Sequence, residues 1–211
     1  TPIQSQAIPH MLAGHDVVGL AQTGTGKTAA FSLPILEQVN VNKRAVQALV
    51  LTPTRELAMQ VCQAVQNLKH SSQLRVLPVY GGQSIERQLS QLRRGVHMVV
   101  GTPGRVLDLL SRGALKFDQL SWLVLDEADE MLNMGFIQDV ENILSHAPSE
   151  RQTAFFSATM EPAIRELAAK FLKSPVTVKV KAQNTAPQRI TQLAYVVPPG
   201  WSKPRALMPI L

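Results

Sequence analysis

The sequence predicts a layered α/β fold on a mainly parallel sheet, and three observations carry that expectation. Short apolar runs alternate with longer stretches of helical periodicity, the signature of βαβ units. The runs are almost continuously hydrophobic, as strands covered on both faces must be. Each run stops in a polar or Gly/Pro-rich cluster. In a parallel sheet these stops share one edge, where ligands of open α/β sheets bind.

The apolar runs fall at 17–20, 48–51, 76–79, 98–100, 122–125, 154–156 and 176–178. Between them, Leu57, Val61, Val65 and Leu68 recur at helical spacing, as do Val140, Ile143 and Leu144, and then Ile164, Leu167, Ala168 and Phe171. Right-handed crossovers would place these helices against the sheet. Residues 1–182 hold all of this. Residues 183–211 carry Pro187, Pro198, Pro199, Pro204 and Pro209 and read as a connector. The apolar residues Trp201, Leu207, Met208, Ile210 and Leu211 of that tail are expected to pack rather than lie in water.

Composition narrows the function classes. The net charge of +6 favours an acidic partner such as nucleic acid, although a solvated basic surface accounts for it equally well. Cys62 is the single cysteine, so no intrachain disulfide forms; its apolar setting marks it as a small buried hydrophobe. No Cys/His spacing suggests a metal cluster. No run nears the ~18 apolar residues that span a bilayer, and no signal peptide opens the chain. A cytoplasmic protein without a membrane partner is expected.

The first polar cluster is a phosphate loop. Ala21-Gln22-Thr23-Gly24-Thr25-Gly26-Lys27-Thr28 follows a strand and precedes a helix expected to begin near Ala29. Glycines free backbone N–H groups to face phosphate, and the helix N-terminus adds its dipole. Lys27 would reach the β- and γ-phosphates of a nucleotide, and the Thr28 hydroxyl would ligate Mg²⁺. Ala21 stands where the usual pattern opens with Gly. The second cluster is acidic: the strand at 122–125 runs into Asp126-Glu127-Ala128-Asp129. An Asp so placed can hold Mg²⁺ opposite the loop Thr, and Glu127 can deprotonate an attacking water. Read alone, Asp126 is equally an N-cap with acidic first-turn neighbours.

These motifs, with Pro53-Thr54-Arg55-Glu56-Leu57-Ala58, Gly81-Gly82, Thr102-Pro103-Gly104-Arg105 and Ser157-Ala158-Thr159, resemble the N-terminal RecA-like domain of DEAD-box RNA helicases in order and spacing, nearest to bacterial members. The resemblance covers Thr1 to about Val197. It implies a RecA-like P-loop NTPase three-layer sandwich and ATP hydrolysis with Mg²⁺, coupled in the full-length protein to local RNA unwinding. Alternatives from other classes are an RNA clamp switched by ATP, and a DNA helicase or transporter ATPase with a similar core. By the same resemblance Gln4 reads adenine, and Ser157 and Thr159 couple nucleotide state to domain closure through Asp129. Pro53, Thr54, Arg55, Gly81, Gly82, Thr102, Gly104 and Arg105 would form the RNA-backbone surface, with little sequence preference. Each Arg reads equally as half of a surface ion pair, Arg55 with Glu56 or Arg105 with Asp108. The resemblance further implies that the chain starts inside the adenine-reading motif. A second RecA-like domain would follow, and unwinding by this domain alone is expected to be nil or nearly so.

Overall fold

The computed structural model describes residues 1–180 and, beyond them, 196–197, 199–202, 204 and 207. The strands are β1 (Val17–Leu20), β2 (Ala48–Leu51), β3 (Val76–Val79), β4 (Met98–Gly101), β5 (Trp122–Asp126), β6 (Gln152–Ser157) and β7 (Val176–Lys179). The helices are α1 (Pro2–Leu12), α2 (Lys27–Gln38), α3 (Arg55–Leu68), α4 (Ile85–Arg93), α5 (Pro103–Ser111), α6 (Ala128–Asn133), α7 (Ile137–His146) and α8 (Pro162–Phe171). Among the described residues the seven strands form one sheet in the order β3-β4-β2-β5-β6-β1-β7, and every pairing is parallel.

Side-chain alternation along the buried strands divides the interior into two cores. Ala48 and Val50, Trp122 and Val124, and Ala154 and Phe156 face the helices α1, α2 and α3. Leu49 and Leu51, Leu123 and Leu125, and Phe155 face α5 to α8, with α4 packed partly against them. The result is three layers, helix–sheet–helix. Both faces bury apolar side chains, so the central strands are hydrophobic at every position, and that is why the runs show no period of two.

Asp16 and Gln152 fasten the amino-terminal edge of the sheet. Asp16 accepts hydrogen bonds from the Thr153 and Lys173 amides, both at 2.7 Å. Gln152 Nε2 donates to the Met11 and His15 carbonyls. The opposite edge is left free for the loops that follow the strands.

Gly101 closes β4 against the edge strand β3. A Cβ there would lie 2.5 Å from the Val79 carbonyl oxygen and 2.9 Å from Val106 Cγ2. Gly101→Ala is expected to cost roughly 1–3 kcal/mol by overpacking. The readout is a lower urea midpoint at unchanged slope. An unmoved midpoint would show that β3 yields freely.

Residues Thr1–Lys181 form one unit and Ala182–Leu211 a second. In the second, Trp201 and Leu207 expose 43% and 51% of their surface, more than the expected packing of the tail implies. Met208, Ile210 and Leu211, and the stretch 183–195, lie outside the described residues.

Candidate functional site

The sheet order sorts the motifs that chain order interleaves. The Gly81-Gly82, Thr102–Arg105 and Pro53–Arg55 segments follow β3, β4 and β2, which are neighbours. The acidic motif, Ser157–Thr159 and the phosphate loop follow β5, β6 and β1, also neighbours. One carboxyl edge therefore carries two adjoining sets of polar groups.

In the nucleotide half, Gly24 and Gly26 adopt φ of 81° and 95°, a left-handed region open to glycine, and Gly26 caps α2. The helix starts at Lys27, two residues before the expected Ala29, because the capping glycine already turns the chain. The loop is braced from within: Thr25 Oγ1 donates to the Gln22 carbonyl at 2.7 Å. Ala21 is buried, and its amide donates to the Ser157 carbonyl, so the small side chain at the loop's opening is accommodated by the core. Gln4, on α1, donates from Nε2 to the Gly26 carbonyl at 3.1 Å. A Cβ at Gly26 would come within 2.6 Å of that same amide nitrogen, so helix α1 rests directly on the loop.

Among the described residues three buried side-chain polar atoms have no hydrogen-bond partner: Lys27 Nζ and Asp126 Oδ1 at the loop, and Ser32 Oγ farther along α2. Burial pushes the Asp126 carboxyl up to about 6, against the pull of the Lys27 ammonium. An unpartnered ammonium and an unpartnered carboxylate at the mouth of a phosphate loop fit a phosphate and a divalent cation.

The strained carboxyl has a thermodynamic consequence in the metal-free protein. A carboxyl whose pKa rises on folding binds more protons folded than unfolded. Its stabilising effect is therefore present below the unfolded value and is lost as pH climbs to about 6. Asp126→Asn is thus expected to raise neutral-pH stability by about 2–3 kcal/mol and to change little at pH 4 or below. Thermal unfolding at both pH values checks this; a destabilised neutral-pH variant would refute it.

Glu127 sits at φ 57°, ψ 54°, a conformation that costs a non-glycine residue on the order of 1–2 kcal/mol. Its Oε1 accepts from Thr23 Oγ1 at 2.9 Å, a link between acidic motif and phosphate loop that the sequence did not disclose. Asp129 Oδ2 accepts from the Ala158 amide, the Thr159 amide and Thr159 Oγ1, while Ser157 Oγ accepts from the Asp129 amide. Burial alone would raise the Asp129 carboxyl, but the hydrogen bonds with Ser157 and Thr159 outweigh it and hold it below its ordinary value.

In the other half, Thr54 caps α3 by accepting from the Leu57 amide, which leaves Arg55 at the helix start. The Arg55 guanidinium is half exposed, pairs with Glu56 at 3.0 Å, and lies 3.9 Å from where a Gly82 Cβ would stand. An exposed pair of this kind exchanges partners at little cost. Gly82 has φ 78°, and both it and Gly81 are exposed. Thr102 caps α5 without a side-chain cap bond. Pro103 and Gly104 begin α5 rather than ending a turn, because proline suits a first helical position. Gly104 lies beside Asp139, whose Oδ2 would be 4.0 Å from its Cβ.

In this structure the Arg105 fork is engaged within the protein. Its side chain is 14% exposed; Nη1 and Nη2 donate to the Gln83 carbonyl, and Nη1 also to Gln88 Oε1. Gln88, buried on α4, in turn donates to the Tyr80 carbonyl and to Gln83 Oε1. Arg105 and Gln88 thus clamp both ends of the Gly81-Gly82 turn. Gln88→Leu should remove the clamp, lower RNA affinity several-fold and leave nucleotide affinity unchanged. Parallel titrations test it, and equal losses of both affinities would contradict it.

The model of the DEAD/DEAH box helicase family matches residues 1–167. The chain belongs to that family. It is 56% identical over its whole length to the RNA helicase CrhR of Synechocystis, and 56% identical over 192 residues to the DEAD-box ATP-dependent RNA helicase CshA of Geobacillus kaustophilus. It covers 43% and 41% of those two proteins, so it spans less than half of the curated relatives it matches. The crystal structure of a DEAD box protein from Methanococcus jannaschii superposes with TM-score 0.83 at 44% identity, over 86% of this chain and 50% of that one. As a DEAD/DEAH box domain, the chain has its family motifs on the carboxyl edge. No helix among the described residues is long and apolar enough to cross a membrane.

Proposed function

We propose that this chain is the ATP-binding half of an ATP-dependent RNA helicase. The observation that carries the reading is the pair of buried, partnerless groups, Lys27 Nζ and Asp126 Oδ1, beside a glycine loop at a helix N-terminus. Lys27 and the loop amides would hold the β- and γ-phosphates; Thr28 and Asp126 would hold Mg²⁺, which neutralises charge developing on the transferred phosphoryl group. Gln4, already bonded to the loop's last carbonyl, would report adenine occupancy to it. Glu127 would take the proton from the attacking water, and its carboxylate, steadied by Thr23, favours hydrolysis over a switch without turnover. Asp129 would pass changes at this site to Ser157 and Thr159, and so to a second RecA-like domain of the longer protein.

RNA would lie across the other half, on its sugar–phosphate backbone and with little sequence preference. Arg55 would give the charge, Gly81, Gly82 and Gly104 the amides, and Pro53, Thr54 and Thr102 the rest of the floor. Arg105 would act through the turn it clamps. ATP turnover by the longer protein, measured with RNA and DNA in parallel, tests the reading: RNA should stimulate and DNA should not. Stimulation by DNA alone would overturn the RNA assignment.

A further inference from the structure

A second basic surface lies away from the carboxyl edge. Residues 43–94 carry eight lysines and arginines against two carboxylates, Glu56 and Glu86, whereas residues 106–167 carry four against eleven. The first segment builds β2, α3, β3 and α4 and the second builds β5 and β6, so sheet order turns a difference along the chain into one in space.

Part of the basic excess gathers near the amino ends of β3 and β4. A groove of about 420 Å³ is lined by Lys69, Arg75 and Arg94, and an adjoining one of about 220 Å³ by Arg44 and Lys116; Val96 lines both. Among the described residues Asp118 is the one carboxylate lining either groove. The cations form one strip: Arg75 Nη1 donates to the Arg94 carbonyl, and a Cβ on Gly95 would meet Arg44 Cβ at 3.0 Å. Lys69 Nζ is fixed to the Leu74 carbonyl. The ion pairs among the described residues use Arg55, Arg105, Arg112, Lys170 and Lys173, and none uses a cation of this strip. Five cations that line two adjoining grooves and enter no ion pair among the described residues give this surface a positive field suited to a polyanion.

The edge strand β3 says which polyanion. Its carboxyl end runs into the Gly81-Gly82 turn and its amino end starts beside Arg75. Arg75 and Gly81 are six residues apart, about 20 Å at roughly 3.3 Å per residue. Pro78 removes an amide from this edge, which makes it a poor template for an added β-strand. The route along β3 is therefore suited to a charged chain leaving the turn rather than to a peptide pairing with the strand.

We propose that the strip formed by Arg44, Lys69, Arg75, Arg94 and Lys116 binds the sugar–phosphate backbone of RNA flanking the segment held at the carboxyl edge. It would be a second nucleic-acid contact on the same domain. The proposal rests on the RNA reading above for the identity of the chain it binds.

The test uses the 211-residue chain, fluorescence anisotropy and a salt series. One probe is a single strand just long enough for the carboxyl edge; the other is the same strand with a duplex flank. The wild type should bind the flanked probe more tightly and with the steeper salt slope. Arg44→Gln, Arg94→Gln and Lys116→Gln combined should leave the short probe unaffected. On the flanked probe they should cost about tenfold or more and flatten the log–log slope by roughly 0.7–0.9 per lost phosphate contact. Arg55→Ala should weaken both probes. If the triple variant melts early, the exposed Lys116→Glu alone replaces it, with a smaller loss on the flanked probe expected. Equal binding of the flanked probe by variant and wild type overturns the proposal, as does an equal loss on both probes. A wild type that binds neither RNA would instead sink the RNA reading itself.

Discussion

Lys27→Ala is expected to abolish nucleotide binding at concentrations that saturate the wild type, while the domain stays folded. The ammonium is buried at the first position of α2 and meets no hydrogen-bond acceptor among the described residues, so its desolvation is offset only by the nearby Asp126 charge until a phosphate arrives. Hydrogen bonds to charged groups contribute about 1.5–3 kcal/mol each, and two lost bonds to phosphate would lower affinity by at least ~100-fold. The fold should tolerate the change, because alanine favours a helix and an unpaired buried charge disappears. Asp126 loses the cation that restrains it, so its carboxyl should climb further above 6. A titration with a fluorescent ADP analogue measures the affinity. Thermal unfolding separates the two effects: added nucleotide should stabilise the wild type by mass action and leave the variant unmoved. Equal affinities in wild type and variant would remove Lys27 from the phosphate site.

Much of the architecture was legible because parallel strands buried on both faces leave a simple mark. All seven strands stand within two residues of the apolar runs that predicted them, and polar clusters marked where the first six end. The order of the strands was not legible: a crossover fixes handedness, not how far along the sheet the chain returns. The sorting of motifs into two halves is thus a property of topology alone. Helix α5 was obscured by Thr102-Pro103-Gly104, a string that serves a turn as well as a helix start. Gln88 gave no signal at all. Among the polar residues of α4 nothing marks it as the one that is buried, because its burial follows from the Tyr80 and Gln83 groups that tertiary packing brings to it. For Arg105 the residue type left more than one partner open, because a fork suited to phosphate is equally suited to a carbonyl and an amide. The chemistry of a residue type could be read from the sequence, but which partner satisfies it could not.

Glu127→Gln should separate binding from turnover. The amide has nearly the shape of the carboxylate, and its Oε1 can still accept from Thr23 Oγ1, so the side chain should keep its place. The left-handed backbone at this position is the same for either residue, so no relief of strain complicates the comparison. What is lost is the ability to take a proton. General-base assistance is worth about 10²–10⁴ in rate, and the longer protein carrying Glu127→Gln is expected to lose that much ATP turnover with RNA present. Its nucleotide affinity should stay within a factor of about two of wild type, since Lys27 and Asp126 are untouched. A second variant guards the interpretation. Thr23→Val removes the hydroxyl that steadies Glu127 but leaves the base in place. Its turnover should fall less than that of Glu127→Gln, because the loss is one of positioning rather than of chemistry. Single-turnover hydrolysis and equilibrium nucleotide titration on both variants decide the matter. Near-wild-type turnover in Glu127→Gln would place the base elsewhere, and a parallel collapse of nucleotide affinity would recast Glu127 as a binding residue.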